Sequence, residues 1–524
     1  MEFPLIHPLD FQVFPASLAP AHTRRTFVLP PVAKFDLMPL TWRSDFDKFV
    51  VHGNFARRGW LRWSQSDGEE NWNVYWANIY TVKAIFHPDN GYRLGDHQVV
   101  NHFPNHYELT RKDLMVKNIK RYRRELEREI GAKGETAMAT TGGYGPYASH
   151  GSPLLEQVDF IPLTFVLPSD YSLFVEEFKA NSSRPSSASG GAKNLPNTWI
   201  AKPTSRSQGR GIFLMHKFAQ LKRWASSMYG VTSGRPTSAS MYGSTAAANR
   251  TSVAGDTNGA TTGETYVVSA YIDNPLLVGG RKFDLRVYVA VLSFRPLKAY
   301  IARKGFARFC GAKYTNDVSD LDNSFVHLTN NAVQKHGENY NDEHGNKWPL
   351  SDLKLWLEAR YGRDRTNRLF ADIDAMVVHS LKACQNVMIN DKHCFELYGY
   401  DIIVSDTLKP WLIEVNASPS LACSDANDRK CKLRVINDTL SAVVLHRMAR
   451  DAAFADAVVG GGETEKAPAP APPLSTSSMW DEACSGSAWW AGKQRKLRTT
   501  SGAMEHAPAT IGCLDLLVDD TNNL

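Results

Sequence analysis

Oxygen-bearing side chains interrupt an apolar run in KPWLIEVNASPS, residues 409–420. The apolar segments YGYDIIV and KPWLIEV flank the turn-forming residues SDTLK, so the sequence predicts an antiparallel hairpin. If the hairpin is symmetric about its turn, Asp401 lies opposite Glu414. Asn416 shares the face of Glu414, because side chains two residues apart on a strand point the same way.

Two carboxylates that face each other across apolar strands repel unless a positive charge lies between them. Mg²⁺ prefers oxygen ligands, and two carboxylates with an amide oxygen suit it. The sequence therefore suggests that Asp401, Glu414 and Asn416 form a magnesium site. Two alternatives stay open: a lysine or arginine neutralises the pair, or the strand register differs and the carboxylates never meet.

A second candidate site is the segment TWIAKPTSRSQGRGIFLMH, residues 198–216. Lys202 ends a predicted strand, a polar loop with Gly209 and Gly211 follows, and GIFLM resumes as a strand. Small residues let backbone N–H groups approach a phosphate, and a lysine adds a point charge. The loop lacks the Walker A pattern, and an ordinary hairpin turn is the alternative.

The segment GGRKFDLRVYVAV, residues 279–291, alternates charged and apolar residues. Lys282, Asp284 and Arg286 lie on one predicted strand face, and Phe283 and Leu285 on the other. A charged face is costly unless it meets solvent or an anionic ligand, so both interpretations stay open. Further basic, hydroxyl and amide groups that suit an anion are Arg303, Lys304, Arg308, Thr329 and Asn330.

The elements that would position these groups divide into three modules, at about 42–130, 153–275 and 276–450. Strand-like runs recur in all three, and helical periodicity occurs at 115–130, 170–179 and 367–382. Strands with interspersed helices predict an α+β fold. Stretches poor in large apolar residues, at 135–152, 181–194, about 226–263 and 451–524, are predicted to be flexible insertions and a disordered tail.

Composition narrows the class of protein. Residues 1–450 hold 55 basic and 44 acidic residues, a net charge of +11 that favours an anionic partner. The 7 scattered cysteines suggest neither a disulfide framework nor a zinc site and favour a reducing compartment. No segment is typical of a membrane span or a signal peptide.

The segment RKDLMVKNIKRYRRELEREIG, residues 111–131, predicts a basic amphipathic helix. Such a helix could bind nucleic acid, anionic lipid or an acidic peptide, but a helix docked on the core with a solvated basic face is the simpler interpretation. His102, His106 and His327 are interpreted as core or surface histidines, because their spacing with Pro104 does not match a metal-binding helix.

Eight ordered segments together resemble the tubulin-tyrosine-ligase-like family across most of residues 42–440. They are NHFPNHYELTRKDLMVKN, FVEEF, TWIAKPTSRSQGRGIFL, NPLLVGGRKFDLRVYV, DNSFVHLTN, HGENYN with KW, ELYGYDIIV and PWLIEVNASPSL. The resemblance is strongest to the glutamate-adding branch. Arg210 departs from the lysine expected after the loop glycine, which leaves only the detail of that loop in doubt.

The resemblance implies an ATP-grasp fold, in which two α+β lobes enclose ATP, with an N-terminal accessory module. It implies catalytic roles for Lys202, Gln208, Arg308 and Glu414, and a Mg²⁺ site at Asp401, Glu414 and Asn416. Glutamate would bind at Arg308, Lys347 and Lys432. ATP would bind at Lys202, Gln208, Gly209, Ser269, Ala270, Tyr271, Ile272, Lys282, Phe283, Asp284, Thr329 and Asn330.

The activity that the resemblance implies is addition of free L-glutamate to tubulin tails on microtubules, with ATP and Mg²⁺, through an acyl phosphate. The expected partners are tubulin and accessory subunits of a polyglutamylase complex, without nucleic acid or membrane. The cytoplasm and cytoskeleton are the expected location, with cilium, flagellum or basal body as candidates. Glycine or tyrosine addition, a non-catalytic microtubule-binding protein and a nucleic-acid-binding protein are the alternatives.

Overall fold

A computed structural model of the chain describes residues 40–68, 71–132, 153–182, 197–206, 209–229, 263–317, 320–337, 346–450 and 510–520. Helices and strands are both abundant and are interspersed along the chain, which confirms the predicted α+β class. Three sheets organise these residues.

The first sheet is small and parallel, with the order β2-β1-β3-β4. Its elements are β1 (Thr41–Ser44), α1 (Phe49–Arg57), β2 (Leu61–Arg62), β3 (Val74–Trp76), α2 (Ile79–Ile85) and β4 (Val99–Val100). Three helices follow it: α3 (Tyr107–Thr110), α4 (Lys112–Ala132) and α5 (Pro153–Gln157).

The second sheet is antiparallel, with the order β5-β8-β6-β7. Its elements are β5 (Thr164–Leu167), α6 (Tyr171–Ser182), β6 (Trp199–Pro203), β7 (Phe213–Met215), α7 (Phe218–Tyr229) and β8 (Tyr266–Ala270). The strands β6 and β7 pair on either side of the glycine loop, which confirms the predicted strand-loop-strand unit. Phe174 and Trp199 are buried between this sheet and its helices.

The third sheet is the largest and has the main path β14-β13-β10-β11-β16-β15, with β9 beside β10 and β12 beside β11. Its strands are β9 (Leu277–Val278), β10 (Arg281–Phe294), β11 (Leu297–Phe309), β12 (Lys347–Pro349), β13 (Glu396–Val404), β14 (Pro410–Asn416), β15 (Thr510–Ile511) and β16 (Leu514–Asp519). The helices in this region are α8 (Ser324–His327), α9 (Asn331–Gln334), α10 (Leu350–Tyr361), α11 (Arg363–Gln385) and α12 (Ala426–Arg450).

Alternate residues of β10 supply two cores, as the period of a strand requires. Val287 and Val289 pack with α4, α10 and α11 on one face. Tyr288 and Ala290 pack with α1, α12 and the first sheet on the other face. The large sheet is therefore covered on both faces, which fixes the direction of every side chain at the start of β10.

The basic segment forms α4, and its apolar stripe is docked against the core. Met115 and Ile119 are buried, and Arg123 is paired with Glu127 at 3.1 Å and Asp159 at 3.0 Å. This confirms that the amphipathic helix is docked on the core, but its predicted solvated basic face is only partly solvated, since the Arg123 side chain is 8% exposed. In the described part of the chain, no helix combines the length and apolar character of a membrane span.

The C-terminal prediction was wrong for residues 510–520, which form β15 and β16 rather than a disordered tail. The strand β16 pairs with β11, and Leu514 is fully buried against the second face of the large sheet. Tertiary pairing thus orders a segment whose neighbours are polar and rich in alanine and proline. Residues 451–509 and 521–524 lie outside the described residues.

Two predicted insertions begin too early. Residues 181–182 end α6, and residues 226–229 end α7, where Met228 is buried. In α7 the apolar face continues one turn further than composition indicated, whereas in α6 the polar Ser182 ends the helix and donates to the Phe178 carbonyl at 2.8 Å. Residues 135–152, 183–194 and 230–262 lie outside the described residues.

Candidate active site

The hairpin β13/β14 brings the two predicted carboxylates together. Asp401 pairs with Glu414 and Gly399 with Asn416, so the predicted antiparallel register is confirmed. The Asn416 amide nitrogen lies 3.4 Å from Asp401 Oδ2 and 3.4 Å from Glu414 Oε1. The three predicted ligand side chains therefore meet at one point on the sheet.

Basic side chains neutralise this carboxylate pair, which is the alternative that the sequence left open. Arg286 binds Asp401 with Nε 2.6 Å from Oδ1 and Nη2 3.0 Å from Oδ2. Arg308 Nη2 lies 2.9 Å from Asp401 Oδ2, and Lys112 Nζ lies 3.1 Å from Glu414 Oε2. Burial alone would raise the pKa of Asp401, but the two guanidinium groups outweigh it and hold that pKa well below its usual range.

The charged face of β10 is buried rather than solvated. Lys282 is 5% exposed and Asp284 6% exposed. Asp284 accepts a hydrogen bond of 2.7 Å from Arg308 Nε, so Arg308 joins Asp284 and Asp401 across neighbouring strands. The start of β10 is thus part of one buried network of alternating charges.

One cavity opens onto this network, between the second and third sheets. Lys202, Ser269 and Ala270 reach it from β6 and β8, and Lys282 and Asp284 from β10. Apolar side chains share the lining, among them Ile161, Ile200 and Leu412. The other residues predicted to bind ATP or metal that line it are Gly209, Tyr271, Ile272, Thr329, Asn330, Asp401 and Glu414.

One residue predicted to bind the nucleotide, Phe283, points away from that cavity. The Phe283 side chain lies on the opposite face of β10, where it is 1% exposed and its ring centroid is 5.3 Å from that of Phe309. Its alternation with Lys282 and Asp284 requires this direction. Gln208 lies outside the described residues.

The loop after β6 approaches the cavity through Gly209, whose φ of +77° is in the left-handed region that favours glycine. A Cβ atom at this position would come 3.1 Å from Val333 Cγ2 and 3.5 Å from Asn330 Oδ1. Glycine is therefore required both by the backbone angle and by the close approach to α9.

The two lysines that line the cavity have lowered pKa values. Burial lowers the pKa of Lys202 to about 8, and burial likewise lowers the pKa of Lys282 to about 8. Lys282 Nζ donates to Tyr271 Oη at 2.9 Å and to the His327 carbonyl at 3.1 Å. A buried ammonium group that keeps a proton to donate is suited to an anionic ligand such as a phosphate.

The three residues predicted to bind glutamate lie beside the cavity, and Arg308 connects to it through Asp284 and Asp401. Arg308 and Lys347 are register neighbours on β11 and β12. Asp428, at the start of α12, accepts from Lys347 Nζ at 2.9 Å and pairs with Lys432 Nζ at 2.8 Å. Although its burial opposes ionisation, the two ammonium groups hold the pKa of Asp428 below its ordinary value.

The donor set is chemically suited to a magnesium ion. Two carboxylates and one amide oxygen are hard ligands, and rotation of the Asn416 amide by half a turn would place its oxygen where its nitrogen now lies beside the carboxylates. Among the described residues, no group of three or more His, Cys, Asp and Glu side chains could hold a metal, so the amide is needed to complete the set.

Sequence reasoning missed the contacts of two residues at this site. The sequence places Lys112 in the basic helix but does not indicate its contact with Glu414, which bridges positions far apart in the chain. His327 is a core histidine at 3% exposure, as predicted, but the sequence does not indicate its contact with Tyr271 at the cavity. His102 does behave as a core histidine, because it pairs with the fully buried Glu396 at 2.9 Å.

Comparison with known proteins relates this architecture to a family of ligases. The tubulin-tyrosine ligase family model matches residues 89–451. A probable alpha-tubulin polyglutamylase, Ttll1, of Tetrahymena thermophila is 48% identical over 406 residues, which cover 77% of this chain and 86% of that protein. A probable tubulin polyglutamylase, TTLL9, of Bos taurus is 42% identical over 383 residues, covering 73% of this chain and 75% of that protein. The chain therefore belongs to the tubulin-tyrosine ligase family.

Proposed function

We propose that this chain is an ATP-dependent carboxylate-amine ligase that adds glutamate to glutamate side chains in the C-terminal tails of tubulin. The observation that carries this proposal is the cavity in which Lys202, Lys282, Asp284, Asp401 and Glu414 converge from two sheets. The family supports a ligase, and the relatives named as polyglutamylases support glutamate as the added amino acid.

The nucleotide would lie between the two sheets, which would act as the lobes of an ATP-grasp fold. Lys202 and Lys282 would contact the phosphates, and the apolar side chains of the cavity suit the flat face of adenine. Thr329 and Asn330 would add polar contacts near the phosphates. Asp401, Glu414 and Asn416 would hold Mg²⁺, which supplies neutralisation of phosphate charge when it is bound.

The chain's own residues would then direct two steps. The lysines offset the charge that develops as a tail carboxylate takes the terminal phosphoryl group of ATP and becomes an acyl phosphate. The amine of free glutamate attacks the acyl carbon, an amide bond forms, and inorganic phosphate leaves. Arg286 and Arg308 fix the direction of Asp401 throughout, because both are already bonded to it.

Free glutamate would bind along the path from Arg308 to Lys347 and Lys432. Its carboxylates would compete with Asp428 for the two ammonium groups. A substrate without the side-chain carboxylate cannot take the place of Asp428 at these ammonium groups, which is a basis for discrimination. The net charge of +11 on residues 1–450 suits an acidic tubulin tail and the cytoskeleton as location.

The test is transfer of labelled glutamate to microtubules with ATP and Mg²⁺, by the chain alone and by the chain purified with its accessory subunits. Glu414→Gln should abolish transfer, because the amide removes one charge from the ligand set. Labelled glycine and tyrosine in parallel reactions test the two nearest activities. If the purified assembly transfers no amino acid, or if E414Q matches the wild type, the proposal is wrong.

A further inference from the structure

Hydrogen bonds connect the His327 side chain to the Lys282 ammonium group through the Tyr271 hydroxyl. His327 Nε2 lies 3.0 Å from the carbonyl oxygen of Asp320, and its Nδ1 lies 2.8 Å from Tyr271 Oη. Lys282 Nζ lies 2.9 Å from the same Tyr271 oxygen. The imidazole is 3% exposed, so these contacts are sheltered from water.

The chemistry of these atoms indicates which of them donate. A carbonyl oxygen only accepts, so the proton of His327 must be on Nε2. Burial lowers the pKa of His327 to about 4, with the charge of Lys282 acting in the same direction, so the ring is neutral near pH 7 and Nδ1 is an acceptor. Tyr271 therefore donates to Nδ1, and its oxygen accepts from Lys282. The Tyr314 hydroxyl, which gives its own proton to the Asp273 carbonyl at 2.9 Å, is a second acceptor beside Tyr271.

The main chain of His327 holds the same ammonium group. The His327 carbonyl accepts from Lys282 Nζ at 3.1 Å. Two of the three ammonium hydrogens are thus engaged, one by Tyr271 and one by His327, which line the same cavity as Lys282. These two bonds fix the ammonium group and leave its third hydrogen for a ligand in the cavity.

We infer that His327 is a positioning residue, which orients the Lys282 ammonium group toward the nucleotide through Tyr271. This inference rests on the proposed function, since it takes the ligand of the cavity to be ATP. His327 does not contact the phosphates itself in this scheme. Its part is to keep the Tyr271 hydroxyl from turning its proton toward Lys282, which would make the two groups repel.

Two substitutions separate the acceptor from the donor of the imidazole. In H327N, the amide oxygen falls near the position of Nδ1 and can accept from Tyr271. In H327Q, the longer side chain places its amide near Nε2, which keeps the bond to Asp320 and loses the acceptor. Both variants keep the main-chain carbonyl, so a purely structural role predicts the same result for both.

We expect H327Q to raise the KM for ATP and the Kd for Mg-ATP about tenfold, the scale of one misdirected hydrogen bond to a charged group. H327N should stay within about threefold of the wild type, because its acceptor is retained. The kcat at saturating ATP and the melting temperature should differ little between the two variants.

Y271F is a second test of the positioning role, because it removes the Tyr271 hydroxyl and leaves His327 intact. It should weaken ATP binding as H327Q does, and the double variant should be no weaker than either single variant, since both break the same chain. Equal effects of H327N and H327Q, or additive effects of H327Q and Y271F, would overturn the positioning role.

Lys202→Ala distinguishes a failure of the positioning role of His327 from a failure of the proposed function. If the wild type binds Mg-ATP and K202A weakens it while the two His327 variants behave alike, only the positioning role is lost. If calorimetry on the full chain finds no Mg-ATP binding by the wild type, both proposals fall.

Discussion

Arg286 forms a bidentate ion pair with Asp401 in the interior of the large sheet. Its Nε lies 2.6 Å from Oδ1, and its Nη2 lies 3.0 Å from Oδ2. A residue expected to serve as a metal ligand is therefore also one half of a buried ion pair. Buried charges are stable only when they are paired, and removal of one partner leaves the other unsatisfied. The fold and the site depend on the same carboxylate.

Asp401→Asn should consequently destabilise the protein by about 3 kcal/mol, the lower end of the range for breaking a buried ion pair. The substitution leaves the charges of Arg286 and Arg308 without their shared carboxylate. The midpoint of unfolding in urea would measure the loss. D406N is the matched control, because Asp406 is an exposed acid in the turn of the same hairpin. A D401N midpoint equal to that of D406N would contradict the prediction.

The same pair predicts a pH dependence. The folded-state pKa of Asp401 is far below that of an unfolded aspartate, about 3.9, so its contribution is fully present above that pH. The contribution is lost only as the pH falls through the lower folded-state value. The stability difference between wild type and D401N should therefore be constant from pH 7 to about pH 4 and shrink below it. A difference that already shrinks between pH 7 and pH 5 would be inconsistent with this account.

Local patterns predicted the hairpin well, because turn residues and a period of two fix which side chains face each other. They could not predict what neutralises it. Arg286 and Asp401 are 115 positions apart, and the contact between Lys112 and Glu414 also joins distant segments. A sequence gives the face on which a charge lies, but the partner depends on how strands are ordered in the sheet. The strand β16 was missed for the same reason, since β11 supplies its pairing.

Nucleotide affinity should fall as the pH rises above about 8. Lys202 and Lys282 each have a pKa of about 8 in the free protein, so deprotonation above this pH removes positive charge that would bind phosphate. Calorimetric titration of Mg-ATP from pH 6.5 to 9.5 would follow the loss. The double variant K202R/K282R should show a flatter dependence, since guanidinium groups do not titrate in this range. Equal slopes for both proteins would show that other groups control the effect.

Lys347→Met should impair the use of glutamate and leave the nucleotide unaffected. Lys347 lies outside the nucleotide cavity, and its ammonium group is 2.9 Å from Asp428 Oδ2. We expect the KM for glutamate to rise at least about tenfold, because a charged hydrogen bond to the substrate is lost. The KM for ATP should change little. K335M, at an exposed lysine, is the control.

The opposite pattern for K347M, a raised KM for ATP with an unchanged KM for glutamate, would show that Lys347 serves ATP rather than glutamate. Competition against labelled glutamate is a second measurement. Unlabelled glutamate should compete less well in K347M than in the wild type, and glycine should compete poorly in both. Equal competition by glutamate in the two proteins would contradict a role in binding the amino acid.

Gly512→Ala should release the C-terminal hairpin from the large sheet. Gly512 has a φ of +58°, and a Cβ atom there would clash with the carboxylate of Asp438. The same carboxylate accepts from the Cys513 amide at 2.7 Å, so it cannot move away without losing a hydrogen bond. We expect faster hydrogen exchange in β11 at residues 298–302, whose register partners lie in β16.

Gly91→Ala is the matched control for that experiment, because Gly91 has a similar φ of +66° and its Cβ would meet open space among the described residues. It measures the cost of the left-handed backbone alone, about 1 kcal/mol. G512A should lower the unfolding midpoint further than G91A, by the additional cost of the clash with Asp438. If the two variants are equally stable and β11 exchanges at the wild-type rate in both, the hairpin is not held at Gly512, and Leu514 and the strand pairing alone retain it.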